Sequence, residues 1–167
     1  MIKLSERARQ HLALHFGDSS APGSVFFKSV FETPDDLLAH INSFAPSETI
    51  LQGNNRMALV FHMTEAVGTS GLVKRRDVAV EKIVFESRNG FQVEVALLDK
   101  LDLAFEFCVI VENREEEEHL ITAFPGEYSL SFPYEGQNPE EYERSRLFWQ
   151  EHILCRKINF EEDDKAK

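Results

Sequence analysis

The sequence predicts an α+β chain: an antiparallel β-sheet of four or more strands, with helices from both ends of the chain packed on it. Three observations lead there. Between about Met57 and Phe124, apolar residues recur at strand period and the connections are short, which makes sequential strands antiparallel neighbours. Arg88-Asn89-Gly90 is the strongest hairpin turn in the chain. Thr33-Pro34-Asp35-Asp36 and Asn138-Pro139-Glu140-Glu141 are helix starts on either side of that region, each with a capping residue, a proline at the first helical position and acids near the positive end of the dipole.

Taken in order, Leu4, Ala8, Leu12 and Phe16 have helical spacing over about residues 5–16, with Gly17 as the terminating cap. A polar loop from Asp18 to Ser24 precedes a short apolar segment, Val25 to Phe31, expected as a strand. The helix starting at Thr33 buries Leu37, Leu38, Ile41 and Phe44 and ends before Pro46. Gln52 to Asn55 turns the chain into a strand from Met57 to Met63, with His62 near its far end. Val78 to Phe85 and Phe91 to Leu98 flank the Asn-Gly turn. The organising stretch runs from Leu103 to Gly126: one strand from Leu103 to Val111, a glutamate-rich hairpin tip, and a second strand from His119. Proline cannot donate to a ladder, so that second strand is expected to end at Phe124, ahead of Pro125-Gly126, with Thr122 near its end. The last helix is expected from Glu140 to about Leu154, with Tyr142, Ser145, Trp149 and Ile153 on one face.

The 167 residues, 43% of them hydrophobic and 14 of them Phe, suffice for a single aromatic-rich domain over residues 1–160, followed by an acidic disordered tail at 161–167. No apolar run approaches the roughly 20 residues of a membrane helix. The N-terminus is charged where a signal peptide would be apolar, so the expectation is a soluble cytoplasmic protein without membrane partners. Cys108 and Cys155 have no partner at ligand spacing and read as reduced, buried thiols. The net charge of −11 repels polyphosphate at long range and weighs against a general nucleic-acid binder. Much of the acid is segregated, however, at Glu115 to Glu118 and at Glu161 to Asp164, and Lys74, Arg75 and Arg76 form one concentrated basic cluster.

No metal or cofactor site is expected. His11 and His15 have ligand spacing but lack a third ligand, and Gly68-Thr69-Ser70-Gly71 lacks the Lys-Ser/Thr of a phosphate loop. What remains is a metal-free catalytic constellation: His62 at one strand end, Lys74 and Arg75 in the following loop, and Thr122 at another strand end. RNA carries its own nucleophile, the 2′-hydroxyl. Cleavage therefore needs only a base, a cation to hold the phosphorane charge and an acid for the leaving oxygen. His62 suits the proton transfers near neutral pH, Lys74 or Arg75 the charge, and the Thr122 hydroxyl a phosphate oxygen.

The segment Leu120-Ile121-Thr122-Ala123-Phe124-Pro125-Gly126, followed by Phe132-Pro133 and by a helix ending Phe148-Trp149-Gln150-Glu151-His152, resembles the C-terminal part of bacterial toxin-type ribonuclease domains of the barnase/EndoU/colicin/RelE-like class. The resemblance covers about residues 57 to 155. It implies an antiparallel sheet behind a helical front, an active-site role for Thr122 and, less directly, for His62 and for a cation among Lys74, Arg75 and Arg88. This chain is acidic where such domains are commonly basic. The function expected is thus a metal-independent ribonuclease-like domain, active or degenerate, with RNA as partner and a cognate immunity protein as a second one. The alternative expectations are an acidic immunity- or antitoxin-type binder of a basic toxin, and a phage or mobile-element accessory protein.

Overall fold

The computed structural model describes residues 1–16, 24–88 and 90–158; the expected cap Gly17, most of the loop from Asp18, Asn89 of the hairpin turn and the tail at 161–167 lie outside these residues. In chain order come β1 (Ile2–Lys3), α1 (Glu6–Leu12), α2 (Pro34–Ser43), β2 (Glu48–Gly53), β3 (Arg56–His62), β4 (Gly68–Thr69), β5 (Leu72–Lys74), β6 (Ile83–Arg88), β7 (Phe91–Leu98), β8 (Leu103–Ala104), β9 (Glu106–Arg114), β10 (Glu117–Pro125), α3 (Pro139–Glu151) and β11 (His152–Lys157). The α+β class holds. Both predicted helix starts form as read. Thr33 accepts from the Asp36 N–H while the Asp36 carboxylate accepts from the Thr33 N–H, and the Asn138 side chain accepts from the N–H groups of Glu140 and Glu141. The chain divides into two compact units, one comprising residues 1–70 and 103–128, the other residues 71–102 and 129–167.

The first unit is built on a sheet of order β1-β10-β9-β3-β2, antiparallel except for the parallel β1–β10 pair. Strand alternation gives β3 and β9 one face bearing Leu59, Phe61, Phe107, Val109 and Val111, and this face forms the core with Leu12 of α1 and Leu37 and Ile41 of α2. Phe107 is the centre of that core. Its ring stacks on Phe61 at 5.0 Å and meets Phe26, Phe31 and His40 edge-on at 5.8, 5.4 and 5.9 Å. Fully burying one such side chain contributes about 1.5–3 kcal/mol.

Three expectations change here. Val25 to Phe31 is not a strand: Phe26 makes isolated bridges to Phe16 and Gly68, and the chain then turns back so that the Phe31 N–H donates to the Phe27 carbonyl. β2 was not anticipated, because all its residues but Ile50 are exposed and it shows no apolar alternation. β10 runs through Pro125 instead of stopping at Phe124. The Gly126 N–H donates to the Glu106 carbonyl at 2.8 Å, so by alternation the position of Pro125's missing N–H faces away from β9 and no ladder bond is lost. Gly68 supports that turn by having no side chain, since a Cβ there would lie 2.1 Å from the Val25 carbonyl oxygen and 3.0 Å from Pro125.

The second unit is built on a sheet of order β5-β11-β7-β6. The predicted β6–β7 hairpin forms, with Arg88 opposite Phe91 and Gly90 at φ +84°. Val78 to Lys82 is not strand: 3₁₀ turns occupy Arg75–Asp77 and Val80–Lys82. The last helix also ends three residues early. At His152 the chain becomes extended (φ −121°, ψ 156°) and forms β11, antiparallel to β5 and parallel to β7. Ile153 and Cys155 thereby enter a core with Ala96 and Leu101, and an apolar run that would leave a helix end frayed is satisfied on both edges. The expected single meander is therefore divided among three sheets: β3, β9 and β10 belong to one, β6 and β7 to another, and the expected strand from Leu103 to Val111 breaks at Phe105, its first part, β8, pairing with β4. Both thiols are buried as expected, and desolvation pushes each up to about 12, with Glu106, Glu127 and Glu48 adding to the effect on Cys108 and Asp102 on Cys155.

Trp149 fastens α3. Its ring stacks on Phe132 at 4.3 Å, and its indole N–H donates to the Leu130 and Ser131 carbonyls at 3.0 and 3.2 Å. Trp149→Ala is expected to cost on the order of 3 kcal/mol, seen as a lowered thermal midpoint; an unchanged melt would contradict this docking. In the first unit, desolvation among the rings holds the His40 imidazole below its ordinary value of 6.5. A histidine with a lowered folded pKa binds fewer protons folded than unfolded, so its contribution is full above about pH 6.5 and is lost as pH falls below it. Denaturant midpoints should therefore drop from about pH 7.5 to about pH 5.5, and His40→Gln should reduce that drop.

Candidate functional site

The four residues singled out in the sequence divide between the units. His62 and Thr122 belong to the first. His62 ends β3 opposite Glu106 of β9; its Nε2 lies 3.2 Å from the Glu106 carboxylate, its side chain is 64% exposed, and its N–H donates to Ser47 Oγ at 3.3 Å. Thr122 is half-buried on β10 opposite Ile110, just after an irregularity between Leu120 and Thr122. Because Ile110 also faces Ala58, His62 and Thr122 point to the same face of the sheet. They do not meet. β9 lies between their strands, and the step from Glu106 to Ile110 is about 13 Å along the strand direction.

Lys74 and Arg75 are in the second unit, and the structure brings them together at the junction of α3 and β11. Lys74 ends β5 opposite His152, and its Nζ is 3.0 Å from His152 Nε2. His152 is buried, its ring stacked on Phe148 at 4.1 Å. Its Nδ1 lies 2.9 Å from the Phe148 carbonyl oxygen, which can only accept, so Nδ1 carries the proton and Nε2 can present a lone pair to the Lys74 ammonium. Arg75 has a different task. Its guanidinium donates to Glu94 at 2.8 Å and to the Trp149 and His152 carbonyls at 3.2 and 3.5 Å, taking up carbonyls that the end of α3 leaves unpaired. Arg76 is exposed beside them.

Lys74, Arg75, Arg76, Gln150 and Glu151 line one cleft of ≈ 410 Å³ in this unit. Three consecutive cations thus share a concavity with one amide and one carboxylate on a chain of net charge −11. Side chains of these types can hold a phosphate group by charge and hydrogen bonding, with a carboxylate as proton acceptor. Gln150, Glu151 and His152 had no assigned role in the sequence. A histidine four residues after Phe148 at a helix end, facing a basic cluster elsewhere in the chain, is a signal visible only once β5 and β11 are paired.

The remaining motifs have structural work. Pro125 and Gly126 pack against Gly68 and Ser70: a Cβ on Gly126, which sits at φ +106°, would lie 2.9 Å from Ser70 Oγ. His15 lies in a 3₁₀ turn after α1, off the helical face assumed for a His11/His15 pair, and its Nδ1 is 3.0 Å from the Ser24 carbonyl. Among the described residues no group of three or more His, Cys, Asp and Glu is placed to hold a metal ion, and no helix is long and apolar enough to cross a membrane. Comparison of the chain with protein-family models, curated proteins and solved structures finds no match.

The two arginines should separate experimentally. Arg75→Gln is expected to destabilise the protein by about 1–2 kcal/mol through the carbonyls and carboxylate it leaves unpaired. Arg76→Gln should leave the unfolding free energy within about 0.5 kcal/mol of wild type. Equal stability losses at both positions would refute this division of labour.

Proposed function

We propose that the chain is a metal-independent ribonuclease-like domain of the bacterial toxin type, in which the cleft at the α3–β11 junction holds the scissile phosphate. The observation that carries this reading is the cleft itself, with Lys74, Arg75, Arg76 and Glu151 on one concavity. Lys74 and Arg76 neutralise charge that develops on the phosphorane oxygens. Glu151 takes the 2′-hydroxyl proton, the role the sequence suggests for His62, and the Lys74 ammonium gives a proton to the leaving 5′-oxygen and recovers it from solvent. His62, paired with Glu106 on the first unit, stands as the alternative acid–base group, without Thr122, which lies about 13 Å further along the sheet. The resemblance of residues 57–155 to toxin ribonucleases supports the same class.

A second reading has its own observation. Glu115 and Glu116 form an exposed turn at φ +51° and +70° between β9 and β10, part of a run of four glutamates, which suits an acidic immunity-type protein meeting a basic partner.

Incubation with labelled RNA in EDTA decides between them. Cleavage is expected without metal, leaving 2′,3′-cyclic phosphate and sparing DNA, which lacks the nucleophile. Glu151→Gln should lower the rate by about 10²–10⁴-fold, and Lys74→Gln should lower the rate and weaken substrate binding. A comparable loss on His62→Ala, with Glu151→Gln fully active, would transfer the chemistry to the first unit. RNA left intact from about pH 5 to 8, together with tight binding of a basic protein at low salt, would replace the nuclease by the acidic binder.

A further inference from the structure

We infer that the end of α3 carries a binding site for single-stranded nucleic acid, in which Phe132 stacks an unpaired base and Lys74 and Arg76 hold the adjoining phosphates. This rests on the reading of the cleft as a phosphate site and is independent of whether the bound strand is cleaved.

One face of the Phe132 ring is covered by Trp149, at 4.3 Å and 22° between planes, yet the residue remains 42% exposed. Phe132 is held from behind. The Trp149 indole is fixed by its hydrogen bonds to the Leu130 and Ser131 carbonyls, and Phe148 packs edge-on against it at 5.1 Å. An aromatic ring backed by fixed groups and still 42% exposed is preorganised for stacking, because little side-chain freedom remains to be lost on binding.

The same tryptophan connects this platform to the cations. Its carbonyl accepts from Arg75 at 3.2 Å, and the next two residues, Gln150 and Glu151, line the cleft. The stacking surface and the basic cleft are therefore connected through one residue of α3, Trp149. The occupant is specified by this pairing of chemistries: it must present both an accessible π-face and negative charge, on a chain whose net charge otherwise repels anions. An unpaired nucleotide strand does so at every residue, and aromatic stacking tolerates any base. Duplex bases are already stacked on their neighbours and offer no free face.

The test uses the full chain and a fluorescein-labelled 2′-O-methyl oligouridine, which has no free 2′-hydroxyl and so reports binding without cleavage. Fluorescence anisotropy at low salt should show saturable binding, weaker for a duplex of the same length. Phe132→Leu should weaken it by roughly 5- to 150-fold, and Arg76→Gln should reduce the slope of log affinity against log salt by about one. Phe132→Tyr keeps a stacking face and should bind like wild type, which separates loss of stacking from loss of packing against Trp149. Absence of binding, unchanged affinity in Phe132→Leu, equal weakening by Leu and Tyr, or equal affinity for the duplex would each overturn the site. RNA left intact by a protein that binds the oligouridine in a Phe132-dependent way would remove the nuclease and keep the site; RNA cleaved with no dependence on Phe132 would do the reverse.

Discussion

The Phe107 ring is the contact on which the first unit depends. β9 is hydrogen-bonded along both edges, to β3 and β10, and Phe107 projects from it into the contact of Phe26, Phe31, His40 and Phe61. A strand paired on both edges cannot shift by one residue without exchanging its two faces. Here that exchange would move Phe107, Val109 and Val111 out of the core and put Glu106, Cys108 and Glu112 into it. The register of the whole sheet follows from this. So do the pairing of His62 with Glu106, the level of Thr122 opposite Ile110, and the close approach of Gly68 to Pro125.

The second unit depends on a change of backbone state at His152. Helix ends leave carbonyls unpaired, and α3 meets that requirement through Arg75, whose guanidinium reaches both Trp149 and His152. The same change sends Ile153 and Cys155 into the core and aligns His152 with Lys74. Electrostatics and architecture are thus shared among neighbours in sequence. Arg75 is committed to the helix end and Glu94, Lys74 is held against an imidazole, and Arg76 is exposed. Counting Lys74 to Arg76 as three equivalent positive charges would misjudge all three.

The candidate site was legible only in pieces. The basic cluster stands out because it is the one concentration of positive charge in an acidic chain, and Phe148 to His152 stands out as an aromatic-rich helix end. Their juxtaposition was not legible, since it depends on β11, which continues directly from a helix and shows no turn signal before it. His62 and Thr122 read as strand ends, and they do share a sheet face; the register then separates them by four residues along β9.

What the sequence by itself determined is what local chemistry controls. The capped starts at Thr33 and Asn138, the Asn-Gly hairpin, the alternating face of β3 and β9 and the burial of both cysteines depend on residues within a turn or two of each other, so short-range sterics and hydrogen bonding suffice. Tertiary structure alone decided the partners. Successive strands with short connections are expected to pair, yet Leu101 is buried in one core and Ala104 in the other, so β7 and β9 part company within a few residues. β7 then pairs with β11, which is far away in sequence. Pairing across that distance is chosen by which apolar faces can be buried together, a property of the assembled chain that no window of sequence contains.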